Sequence, residues 1–120
     1  VMFRYSSIKE EAHVARYLVS AGPQDNTEEL RRRLDDGEIE LLEPFGRSLH
    51  HSLVNAKVQK DGRAVWEEMD YCSPPLAQER AAVLDDYFED IDVIPVERNE
   101  GWKQIAGLPS LWSTIDKEKT

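Results

Sequence analysis

The residues able to do chemistry gather around the chain's single cysteine. In "MDYCSPPLAQER" (69–80), Cys72 stands two residues after Asp70 and immediately before Ser73-Pro74-Pro75. Upstream lie the adjacent pair His50 and His51. A thiol beside an imidazole and near a helix N-terminus acquires thiolate character and becomes a nucleophile. Asp70, on the same strand face as Cys72, would orient that imidazole as the third member of a triad. The competing reading is a small apolar residue filling a strand end, because free Cys is among the most buried residue types. The two prolines also remove N–H donors, and no glycine-rich oxyanion loop accompanies the thiol.

The juxtaposition depends on a hairpin. "SLVNAKVQKDGRAVWEEMDYC" (52–72) reads as two strands around Asp61-Gly62, a dipeptide suited to a tight turn. A two-residue loop pairs Lys60 with Arg63 and sets Cys72 opposite His51. A three-residue loop, with Gly62 left-handed, pairs Gln59 with Arg63 and sets Cys72 opposite His50. Opposed residues have Cβ atoms about 4.5–5.5 Å apart, so either register predicts an imidazole beside the thiol. The second gathers Val54, Ala56, Val58, Ala64 and Trp66 on one face and packs better.

Spacing gives no metal site. Glu10 and His13 form one E-x-x-H, where a carboxylate di-iron bundle needs two. His50 and His51 would point to opposite faces of a strand. Cys72, Asp70 and one of those histidines together offer zinc donors, with no spacing motif behind them. No cofactor is expected.

Other elements must hold these residues. "MFRYS" (2–6) reads as a short strand. Ser7-Ile8-Lys9-Glu10 has capping-box form, and Ile8, Ala12, Ala15, Leu18 and Val19 follow at helical spacing up to Gly22-Pro23. A second helix starts at Asn26 or Thr27, carries Leu30 and Leu34, and ends at Gly37. "EIELLEPF" (38–45) reads as a strand closed by Pro44. Ser73 and Pro74 open a third helix as cap and first residue, with Ala77, Ala81, Leu84 and Phe88 as its apolar stripe. "IDVIPV" (91–96) is a last strand, placed at an edge or a strand end by Pro95. The tail 101–116 carries Trp102, Ile105, Leu108, Leu111, Trp112 and Ile115.

The order predicts one α+β domain over 1–120, with a mostly antiparallel sheet and about three helices on one face. An elaborated ferredoxin-like arrangement is one candidate topology.

Composition narrows the function. The 120 residues carry a net charge of −9, unsuited to duplex nucleic acid, whose binders neutralise phosphates. Arg31-Arg32-Arg33 follows Glu28 and Glu29 at the favourable helical spacing and reads as a self-paired face. A lone cysteine makes no intrachain disulfide and fits a reducing compartment, so a cytoplasmic protein is expected. No apolar run is long enough to span a membrane, and no secretory pattern opens the chain. Asp35, Asp36, Asp85 and Asp86 fall at helix C-termini, where the helix dipole disfavours them. They form either a surface for a basic partner or a solvated face.

The expectation is a binding or assembly domain rather than an enzyme, meeting a protein partner or a second copy of itself. Trp102 and Trp112 would then pack on its own sheet or on another subunit. One alternative is a small cysteine-dependent enzyme or thiol sensor using Cys72 with His50 or His51. Another is an acidic inhibitor or immunity-type protein for a basic target.

Overall fold

A computed structural model describes residues 15–113. The strand expected at 2–6, the Ser7–Glu10 capping box, the Glu10/His13 pair and Ile115 lie outside the described residues. A four-stranded sheet runs in the order β2-β3-β1-β4, every neighbouring pair antiparallel. The strands are β1 (Ala15–Pro23), β2 (Lys57–Val58), β3 (Ala64–Asp70) and β4 (Phe88–Pro95). Helices α1 (Thr27–Asp35) and α2 (Gly46–Val54) connect β1 to β2. A second helical crossover connects β3 to β4. This is the α+β class expected, with the split strand order of a ferredoxin-like arrangement.

β1 corrects a helix assignment. Tyr17, Val19 and Ala21 alternate toward the core, while Arg16, Leu18 and Ser20 take the opposite face, and β1 pairs with a strand on each side. Leu18 on the outer face stands beside Val19 on the core face, and that adjacent apolar pair, with Ala15, mimics helical spacing. Gly22-Pro23 ends a strand here, not a helix.

α1 forms as expected, burying Leu30 and Leu34. Gly37, at φ +79°, closes it: its N–H donates to Leu34 O and that of Glu38 to Arg33 O, at 3.1 and 3.0 Å. The strand expected at 38–45 is instead a series of turns in which Ile39 is buried and Leu41 is 80% exposed. Gly46 explains why the chain can fold back there. A Cβ at that position would lie 2.5 Å from Ile39 O and 2.7 Å from Glu40 O.

The first arm of the expected hairpin is largely helical. Leu49 and Leu53, four residues apart, bury one face of α2, and only Lys57 and Val58 remain to pair with β3. Around Asp61-Gly62 the three-residue loop forms. Gln59 N–H donates to Arg63 O, Gly62 N–H donates to Gln59 O, both at 2.9 Å, and Gly62 sits at φ +89°.

The second crossover opens with α3 (Ala77–Glu79), widens into a π turn (Arg80–Leu84) and ends in α4 (Asp85–Tyr87). The helix begins after Leu76, at φ +63°, whose N–H donates to Asp70 Oδ2. Ser73 does not cap it, and Phe88 starts β4. The π turn rotates the expected stripe, so Glu79, Val83, Leu84 and Tyr87 are buried while Ala81 is exposed. In β4, Asp90 at φ +52° marks a slip in pairing with β1, and Pro95 stands at the end of this edge strand.

The core lies between the sheet and α1, α2 and the second crossover, with Trp66 and Phe88 at 5.2 Å. On the other face sits α5 (Glu100–Gln104), where Gly101 approaches Glu67 and Leu18. The chain then covers the β2 edge: Ser110 bridges Lys57, and Val58 N–H donates to Pro109 O at 2.9 Å. Trp112 is buried, its Nε1–H donating to Leu53 O at 2.7 Å.

Candidate functional site

β3 places Trp66, Glu68 and Asp70 on its core-facing side by simple alternation. Trp66 belongs to the apolar core; the two acids continue the same face toward the strand end. Glu68 is fully buried, Asp70 nearly so, and Glu79 reaches in from α3 to join them, also buried. The Cys72 thiol sits half-buried just beyond β3. One ligand atom each from Asp70, Cys72 and Glu79 lie within 4.8 Å of one another.

A cavity of about 100 Å³ opens beside this group. Pro44, Phe45, Met69 and Tyr71 supply apolar wall, while Asp70, Cys72, Glu79 and Ser48 supply polar lining. That volume accommodates a few water-sized groups. Among the described residues, no Lys or Arg side chain pairs with Glu68, Asp70 or Glu79. Glu68 Oε2 receives Ser48 Oγ–H at 3.3 Å, but Glu68 Oε1 and Glu79 Oε1 are buried without a hydrogen-bond partner.

Burial pushes the Glu68 carboxyl up to about 8, and the nearby Glu79 and Asp70 charges add to it against the pull of Ser52 and Ser48. Burial likewise raises Glu79, reinforced by Asp70. A hydrogen bond from the Gln78 backbone lowers the Cys72 thiol, but burial, Asp70 and Glu79 outweigh it and the net shift is upward. Chemically, the group can hold protons or take up a cation. It does not prepare a free thiolate.

The expected imidazole neighbours do not face the thiol through a ladder. The β2–β3 pairing stops at Lys57, and His50 and His51 ride on α2. The His51 ring meets Trp102 edge-on at 6.3 Å and lines a different cleft with Arg16 and Arg98. Asp70 is where the sequence places it, but it holds Leu76 N–H rather than an imidazole.

The other candidates are dispersed. Asp35 pairs with Arg31 at 3.2 Å, Asp36 with Arg32 at 2.9 Å and Asp85 with Arg80 at 3.1 Å. Asp86 is exposed, and its backbone carbonyl receives Asn26 Nδ2–H at 2.9 Å. Trp102 is half-buried against the core.

Comparison with protein-family models, curated proteins and solved structures finds no match. The geometry alone must carry the reading. No helix among the described residues is long and apolar enough to cross a membrane.

Glu68 and Glu79 are the site residues that sequence reasoning missed. Glu68 had a signal, since Trp66-x-Glu68-x-Asp70 puts it on the face of a core tryptophan. Glu79 had none, because the π turn that follows it breaks the period by which helical faces are read.

Proposed function

We propose that this protein is a binding protein for a small cation, taken up in the cavity between Phe45, Asp70 and Glu79. One observation carries the reading: Asp70 and Glu79, both buried, meet Cys72 at this cavity, Glu68 is buried behind them on the same face of β3, and among the described residues no basic side chain pairs with any of the three acids. Burying acids without partners is costly unless they hold a proton or meet a cation. The apolar wall of Phe45, Met69 and Tyr71 limits the occupant to a small one. The raised thiol, and a Cys72, Asp70 and Glu79 cluster that among the described residues includes no imidazole, favour binding over thiol catalysis.

Thermal unfolding with a panel of cations tests this. The panel is methylammonium, guanidinium, Ca²⁺, Mn²⁺ and Zn²⁺. A ligand at a hundred times its Kd stabilises the folded state by about 2.7 kcal/mol. At least one cation should raise Tm in the unaltered protein, with the shift reduced in Glu79→Gln. If none does, the reading fails.

Association with a protein partner or a second copy is a second reading, favoured by Tyr71, 68% exposed beside the cavity, and by Leu41. Light scattering at rising concentration tests it, and a monomer throughout would remove self-association.

A further inference from the structure

We infer that the cavity holds one zinc-class divalent ion, bound by Cys72 Sγ, Asp70 and Glu79. This rests on the cation-binding reading and names its ligand. Two carboxylates and a thiol converge from three places: the end of β3, the loop after it, and α3 ahead of the π turn. A thiol adds nothing for a hard ion such as Mg²⁺ or Ca²⁺, which take oxygen donors. Sulfur with oxygen donors suits a borderline ion, and Zn–S and Zn–O distances run to about 2.3 and 2.1 Å.

Donors on a tetrahedral zinc stand roughly 3.5 Å apart by those lengths. The three here lie within 4.8 Å of one another, so closure needs a shift on the order of 1 Å, within the reach of side-chain rotation. The second observation is Glu79 itself. Its side chain is almost wholly buried, lines the cavity, and leaves Oε1 without a partner. A buried acceptor in that position is what an incoming cation satisfies.

Asp70 is already positioned. Leu76 N–H holds its Oδ2, which fixes the carboxylate at the cavity wall. As the ion enters, the Cys72 sulfur gives its proton to solvent and forms the metal–sulfur bond; any proton on Glu79 leaves the same way. Three protein donors leave a fourth position on a tetrahedral ion, which a water or a small anionic ligand would take.

Cobalt(II) reports the sulfur directly. The unaltered protein, reduced and metal-free, is titrated with Co²⁺ and then with Zn²⁺. One equivalent of Co²⁺ should produce a thiolate-to-cobalt charge-transfer band and visible bands of tetrahedral intensity, both removed by Zn²⁺. Cys72→Ser should lose the charge-transfer band, and Glu79→Gln should weaken Zn²⁺ binding by at least about tenfold. Far-ultraviolet circular dichroism checks that both variants fold, and Cys72→Ala replaces the first if it does not. No charge-transfer band, or a band that survives loss of the thiol, overturns the inference. An organic cation that stabilises the protein while zinc and cobalt leave it unchanged overturns the metal and spares the cation reading. No response to any cation removes both.

Discussion

Glu67 and Glu68 are neighbours on β3, both fully buried, and they stand in opposite electrostatic situations. Glu67 points to the outer face, where its carboxylate accepts N–H groups of Asn99, Gly101 and Trp102 at 2.9, 2.8 and 3.2 Å. Arg16 adds an ion pair at 3.4 Å. Glu68 points to the core, with one oxygen on Ser48 and the other unpartnered. Pleating separates them by a single residue.

The same substitution should therefore act in opposite senses at the two positions. Glu67→Gln loses acceptor strength toward three N–H groups and should cost about 1–3 kcal/mol. Glu68→Gln, measured at pH 8, should be neutral or stabilising. Urea unfolding of the two variants side by side checks this, and equal destabilisation would contradict it.

Glu68 also sets a pH dependence. Well below the ordinary value of 4.5, its carboxyl is protonated in folded and unfolded chains alike. Between that value and about 8 the folded chain keeps a proton that the unfolded chain has lost. Stability should fall as pH rises across this interval, by up to about 1.4 kcal/mol per pH unit from this group, then level off. Urea midpoints from pH 5 to 9, with a chelator present, should show the decline, and Glu68→Gln should reduce it to the part that Glu79 contributes. An unchanged slope in the variant would rule Glu68 out as the source.

Gly46 allows α2 to start against the preceding turns. Gly46→Ala places a methyl group 2.5 Å from Ile39 O and 2.7 Å from Glu40 O, both rigid backbone atoms. The expected loss is about 1–3 kcal/mol, despite the better helix propensity of alanine. Gly107→Ala, where no atom lies within 4 Å of the added Cβ, is the control and should stay close to the unaltered protein.

The Cys72 thiol should react slowly for a half-exposed cysteine. Iodoacetamide at pH 7.5 should modify it more slowly in the folded protein than in urea, because burial and the adjacent acids disfavour thiolate. Asp70→Asn removes one of those charges and should raise the native rate. A native rate above that of the unfolded chain would restore the activated-thiol view.

Legibility followed how locally each signal is encoded. α1 is written within eleven residues by Leu30, Leu34 and Gly37, and the Gly62 loop by its own dipeptide, so both were readable. β1 was not, because Leu18 on its outer face stands beside core-facing Val19, and that adjacent apolar pair also fits helical spacing. Cys72 and Asp70 lie together at the cavity, but the expected cross-strand histidines were lost once Leu49 and Leu53 drew their segment into α2. Helical spacing there competed with β-like composition, and burial against the sheet decided it.

β1 also governs when the fold can form during synthesis. It is made first among the described strands, yet Ala15 pairs with Asp70 and Tyr17 with Pro95. Until both partners leave the ribosome its main chain has no sheet to join, and closing such distant pairs is slow.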